Sequence, residues 1–258
     1  MWYDCRTGKA PENRDKNRYQ DILPYDKTRV PLGESNGYIN ASYIRMNVGE
    51  EEHFYIITQG PLPSTMADFW QMVWESESDL IAMMTKEVEL GKVKSHRYWP
   101  EPPHDSIDLA NFHLRLDSYQ ILEYFTIRII EMINKQNTET GTSLSLFHLQ
   151  FTTWPDHSTA KLSEQLVKFI CYMRKAHRRG PVVAHCSAGI GRSGVLLCVE
   201  ILLSYIEKDL CVSTKQIIVK HYNKYKYYCY GCQEDDQYLF CYKFVLQVLQ
   251  NLQAVDSY

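Results

Sequence analysis

One stretch of this chain has the residue types for nucleophilic chemistry on an anion: His185-Cys186-Ser187-Ala188-Gly189-Ile190-Gly191-Arg192-Ser193-Gly194. A short apolar run, Pro181 to Ala184, precedes it, and a longer one, Val195 to Tyr205, follows. The order reads as strand, tight loop and helix, with a cysteine opening the loop and an arginine near its end. Such a loop turns backbone N–H groups toward one tetrahedral anion, and the positive end of the next helix points at the same spot. The same field favours a thiolate: a free cysteine titrates near about 8.5, and comparable settings lower that to roughly 3.5–7.5. Cys186 is therefore the candidate nucleophile, attacking phosphorus to form a cysteinyl-phosphate. The planar fork of Arg192 suits two equatorial phosphoryl oxygens, and Ser193 can donate to the sulfur as it leaves. His185 is read as orienting the loop. A competing pattern shares these residues, since Gly189-x-Gly191-x-x-Gly194 also satisfies the dinucleotide-binding fingerprint. It sits late in the chain, and the segment around Asp209 shows no second strand ending in an acid, which disfavours that reading.

Elements of both kinds must hold this loop. Phe54 to Thr58, Ile81 to Thr85, Tyr124 to Ile130, Ser145 to Thr152 and Pro181 to Ala184 are β-rich runs, while Thr65 to Trp74 and Gln165 to Ala176 carry apolar residues at helical spacing. Ser213 and Gln216 form a capping box for a helix through Val219, and Phe240, Phe244, Val248 and Leu252 mark a terminal helix over Asp236 to Leu252. Pro102-Pro103 and Asn134 to Ser143 read as surface connections. With no linker, repeat or low-complexity tract, residues 1–258 are expected to form one α/β domain.

Further motifs follow in a fixed order: Asn17-Arg18-Tyr19, Tyr38-Ile39-Asn40-Ala41-Ser42, Gln59-Gly60-Pro61-Leu62, Phe69-Trp70, Tyr98-Trp99-Pro100, Trp154-Pro155-Asp156-His157 and Gln233 through Tyr238. With His-Cys-x5-Arg-Ser, this set resembles the cysteine-dependent protein tyrosine phosphatases over roughly Asp15 to Leu252. The likeness is to the non-receptor class, of the type 13 and type 20 kind. It implies a highly twisted mixed β-sheet flanked by helices and hydrolysis of phosphotyrosine in proteins. By resemblance, Asp156 is the general acid on a closing loop anchored by Trp154, and Gln233 and Gln237 orient the hydrolytic water. Tyr19 stacks on the substrate ring, and Asp21 grips the substrate backbone. Ser187, Ala188, Gly189, Ile190, Gly191 and Arg192 cradle the phosphate. Glu89 holds Arg192, and Lys94 steadies the acid loop. The pattern departs at Tyr225 to Cys232, where tyrosines stand in for arginines and a glycine, and at Glu234, where a threonine is usual. Ser158 and Ala160 also replace the usual glycine and proline after the acid loop.

Composition bounds the partners. The 258 residues are 45% hydrophobic and 23% charged, with a net charge of −3. That balance gives no general attraction to nucleic acid or anionic membrane. No apolar run approaches the ~20 residues of a membrane span. Lacking a signal-peptide core at its start, the chain is expected in the cytoplasm, as a monomer acting on phosphotyrosine-containing proteins. The 8 cysteines are scattered, which suits buried thiols plus one functional thiol in a reducing compartment. Cys229-x-x-Cys232 lacks two further ligands nearby, so neither metal nor organic cofactor is expected. Two rivals remain open at this point. One is a phosphotyrosine-binding pseudophosphatase impaired by Tyr230 and Glu234. The other is a phosphoinositide phosphatase, which the absence of lysines inside the loop disfavours.

Overall fold

The computed structural model describes residues 4–137, 143–154, 160–210, 226–228 and 243. In chain order the helices are α1 (Arg6–Lys9), α2 (Met66–Glu75), α3 (Ala160–Ala176) and α4 (Gly191–Glu207). The strands are β1 (Ile22–Pro24), β2 (Arg29–Leu32), β3 (Gly37–Val48), β4 (Glu51–Thr58), β5 (Leu80–Met83), β6 (Val88–Glu89), β7 (Lys92–Val93), β8 (Ser106–Asp108), β9 (Phe112–Ile121), β10 (Phe125–Asn134), β11 (Ser143–Phe151), β12 (Val182–His185) and β13 (Lys226–Tyr228). Among the described residues, nine strands make one mixed sheet in the order β2-β3-β4-β12-β5-β11-β10-β9-β8. The helices pack on its two faces, as expected for this α/β class.

Successive residues of the central strands point to opposite faces. On β12, Val182 and Ala184 join the core beneath α3 and α4, whereas Val183 joins the core beneath α2. Strand β5 divides in the same way, with Leu80 and Ala82 on one side and Ile81 and Met83 on the other. Strands covered on both faces read as continuous apolar runs, which is why β5 and β12 are visible in the sequence.

Strand β12 pairs in parallel with β4 and β5, and β11 pairs in parallel with β5. All four carboxyl ends therefore open on one edge, where ligands of open α/β sheets bind. Gln59-Gly60-Pro61 follows β4, Met84-Thr85 follows β5, Thr152 to Trp154 follows β11, and Cys186 follows β12. The fold delivers four separated motifs to one place. No helix among the described residues is long and apolar enough to cross a membrane. The Ser213 capping box lies outside the described residues, and of the Asp236 to Leu252 helix only Lys243 is described, in helical conformation.

Candidate active site

The loop after β12 is pressed against the end of β4. Gly60 N–H donates to the Ser187 carbonyl at 2.8 Å, and Met84 N–H donates to the His185 carbonyl at 2.8 Å. Gly189 has φ +76°, and a Cβ there would lie 2.3 Å from the Thr58 carbonyl oxygen. Only glycine allows both that backbone and that approach. Around this contact, Arg18 braces the turn after β4, donating through Nε to the Gly60 carbonyl at 3.0 Å and through Nη2 to the Pro61 carbonyl at 2.8 Å. Asn17 Oδ1 accepts from Tyr38 Oη at 2.6 Å and Asn40 Nδ2 at 3.0 Å. These motif residues build the wall.

Cys186 is buried at the head of the loop, packed with the core under α4. Burial pushes its thiol pKa up, yet the Ser193 hydroxyl, the backbone N–H groups of Ser193 and Gly189, and the Arg192 charge outweigh it and hold the thiol below its ordinary value. The buried Ser193 hydroxyl makes no hydrogen bond of good geometry, so its dipole is free to favour the thiolate and lower the Cys186 pKa.

Arg192, in the first turn of α4, reaches back across the carboxyl ends. Its Nη1 donates to Glu89 Oε1 at 2.7 Å, with Met84 O and Thr85 Oγ1 at 3.5 Å. Its guanidinium carbon lies 5.4 Å from the centre of the Trp154 ring. Burial pushes the Glu89 carboxyl up, but Arg192, Lys86 N–H and the Thr85 hydroxyl more than reverse this and hold it below the usual range. Arg192 is thus held by charge on one side and faced by an aromatic ring on another.

Beneath the loop runs a polar line buried in the core. Arg128 can only donate, so at 3.4 Å His148 Nδ1 accepts from it and His148 Nε2–H faces Tyr98 Oη at 2.9 Å. The Tyr98 hydroxyl then donates to His185 Nε2 at 2.6 Å, and His185 Nδ1–H donates to the Cys186 carbonyl at 3.0 Å. Burial lowers the His185 pKa to about 4, so the ring is neutral near pH 7. Both protons and lone pairs are fixed, and the Cys186 backbone is fixed with them. Sequence reasoning did not find Arg128 or His148, and met Tyr98 only as a motif letter. The signal was a set of polar letters in otherwise apolar strands.

Tyr19 stands at the rim, half exposed, with its hydroxyl 2.9 Å from Ser187 Oγ. Asp21 is exposed just before β1, which pairs with β13 at Ile22↔Tyr228. Ala188, Ile190 and Gly191 are half-buried along the loop. Lys94 is half-buried and donates its backbone N–H to the Glu87 carbonyl at 2.7 Å. Asp156, Gln233 and Gln237 lie outside the described residues, as do Ser158, Tyr225, Tyr230, Cys229, Cys232 and Glu234. Of the described thiols, Cys5, Cys186 and Cys198 are buried, but Cys171 on α3 is exposed, against the expectation that the remaining thiols are buried.

The head of α4 thus carries a thiol held toward its anion, with an arginine fixed beside it. The sequence profile described as protein-tyrosine phosphatase matches residues 13–247. The chain belongs to the protein-tyrosine phosphatase family. It is 49% identical over 253 residues to human tyrosine-protein phosphatase non-receptor type 20, and 47% identical over 252 residues to the mouse protein of that name. Human tyrosine-protein phosphatase non-receptor type 13 is 47% identical over 255 residues. Each alignment takes in 98% of this chain. The chain spans only 58% and 59% of the mouse and human type 20 phosphatases and 10% of the type 13 phosphatase.

Proposed function

We propose that residues 1–258 form one catalytic unit that hydrolyses phosphotyrosine in proteins through a cysteinyl-phosphate. The observation that carries this reading is the buried Cys186 thiol, held below its ordinary pKa by Ser193, Gly189 and Arg192 at the start of α4. In the first step the sulfur attacks phosphorus and the bond to the tyrosyl oxygen breaks. Asp156 gives its proton to the departing phenolate, whose conjugate acid has a pKa near about 10 and leaves poorly unprotonated. Arg192 and the loop amides take up the charge of the equatorial oxygens. In the second step, a water oriented by Gln233 and Gln237 attacks phosphorus and loses its proton to Asp156. The sulfur leaves as thiolate, stabilised by Ser193, and inorganic phosphate is released. Tyr19 supplies the wall that fits a phenyl ring, and Asp21 the carboxylate for the substrate backbone. Similarity to relatives named non-receptor phosphatases supports a cytoplasmic setting.

Steady-state turnover of a phosphotyrosyl peptide tests the proposal, with Cys186→Ser and Asp156→Ala as comparisons. Cys186→Ser is expected to fall to the uncatalysed background, and Asp156→Ala to lose about 10²–10⁴-fold in kcat. Equal rates for the parent and Cys186→Ser would mean capture without turnover.

A further inference from the structure

The small hairpin of β6 and β7 presents one polar and one apolar face. Glu89 stands opposite Lys92, and Val88 opposite Val93. Side chains alternate between faces, so the residues next to Glu89 point away from Arg192. Val88, Leu90 and Val93 are 52%, 88% and 60% exposed. Leu90 and Gly91 form the turn, at φ +49° and +72°. Two positive φ values are those of a type I′ turn, whose first position favours asparagine, aspartate or glycine. A leucine there is opposed by its backbone and, being exposed, gains little from burial. Folding alone gives no reason for it.

The charges around the tip are uneven. Glu87 is taken up by Arg97 at 2.6 Å and Glu89 by Arg192 at 2.7 Å. Lys86 remains exposed on the Val88 side of the hairpin, and Lys92 is exposed at its rim, opposite Glu89. The tip is therefore apolar with a positive border, one residue from the carboxylate that holds Arg192. An extended polypeptide advances about 3.4 Å per residue, so a chain anchored at the phosphate site reaches the tip within a few residues.

We infer that the Val88-Leu90-Val93 tip is a docking surface for the substrate polypeptide, seating an aliphatic side chain that lies near the phosphotyrosine and beside acidic residues. This rests on the reading of Cys186 and Arg192 as the phosphate site. The surface adds selectivity for flanking side chains to a site that otherwise reads a phosphorylated ring and the substrate backbone.

The test compares phosphotyrosyl peptides in which leucine or alanine is scanned through the positions flanking the phosphotyrosine, with 4-nitrophenyl phosphate as the small substrate. The readout is the ratio of kcat/KM for a leucine peptide to that for 4-nitrophenyl phosphate. Leu90→Asn suits the turn and removes the apolar tip, and it is expected to lower the ratio for the preferred leucine peptide roughly three- to tenfold. Leu90→Met, which keeps an apolar side chain, restores most of it. A ratio that stays constant, whether through no effect or an equal loss on both substrates, would overturn the inference. Should the parent turn over no phosphotyrosyl substrate, the catalytic reading fails separately. The same peptides in a fluorescence-anisotropy titration then decide docking: weaker binding by Leu90→Asn supports it, and equal binding refutes it.

Discussion

Two acidic groups on either side of α4's first turns are buried to the same degree and respond in opposite ways. Cys186, just before the helix, is 5% exposed, and Glu200, within it, is 4% exposed. The Cys186 thiol is held below its ordinary pKa, whereas burial pushes the Glu200 carboxyl above its own. Desolvation is the leading influence at both sites and acts in the same direction. The donors differ. Cys186 has the Ser193 hydroxyl, two backbone N–H groups and the Arg192 charge. Glu200 Oε1 has His53 Nδ1 and Arg174 Nε, each at 3.5 Å, while Oε2 has no partner. Arg174 makes its shorter bonds to Ser204 Oγ at 2.7 Å and Glu207 at 2.8 Å. Glu51 and Glu207 add negative charge near Glu200. Burial sets the cost of an anion, and directed donors decide whether the anion forms.

If that contrast is right, the strongest way to break it is at Arg192. Arg192→Lys keeps a positive charge but removes the planar fork, and it loses the geometry shared with Glu89. We expect kcat on a phosphotyrosyl peptide to fall about 10²–10³-fold, as when one donor to a developing anion is removed. A loss under tenfold would show that charge alone suffices and that fork geometry contributes little.

A smaller and sharper effect belongs to Ser193→Ala. It removes the hydroxyl that favours the thiolate while leaving the loop amides in place. The pH midpoint of Cys186 alkylation is expected to move up, and kcat to fall about tenfold through slower departure of the sulfur. The sign for stability follows from a lowered thiol pKa. The thiolate's contribution is present above the unfolded value, near about 8.5, and is lost as pH falls through the folded value. Ser193→Ala narrows that window. An unmoved alkylation midpoint would assign the thiolate to the amides and Arg192 alone.

The two sites were not equally legible in the sequence. The Cys186 loop could be read because its parts are contiguous: an apolar strand, a glycine-containing turn and an apolar helix within one run. Strands β4, β5, β10, β11 and β12 were visible within a few residues at their ends, β5 and β12 because burial on both faces leaves runs of apolar letters and the others because aliphatic and aromatic letters dominate them. Strand β3 was not read as a strand, since its buried positions include Asn40 and Ser42, which interrupt the period. The contact between Arg192 and Glu89, 103 residues apart, came from the family resemblance and from no local pattern. The line from Arg128 through His148, Tyr98 and His185 was out of reach for the same reason, because its partners meet only when the sheet assembles. Glu200 is a polar letter inside an apolar helix. Nothing local indicated whether His53 or Arg174 would satisfy it.

The mildest test reverses the logic at Glu200. A carboxyl whose folded pKa is raised contributes stability that is fully present below its unfolded value, near about 4.3, and is lost as pH rises through the folded value. Glu200→Gln keeps a hydrogen-bonding amide and stays neutral across that range. The groups that would respond are His53, Arg174, Glu51 and Glu207, all of which face the site. We expect parent and variant to melt alike near pH 4 and the variant to melt a few degrees higher at neutral pH, with the gap opening as Glu200 ionises in the parent. Thermal melts taken from pH 4 to pH 8 measure this directly. A variant less stable at neutral pH would mean that the two contacts at 3.5 Å hold a carboxylate as effectively as the donors around Cys186 hold a thiolate. Donor number and direction would then no longer account for the difference between the two groups.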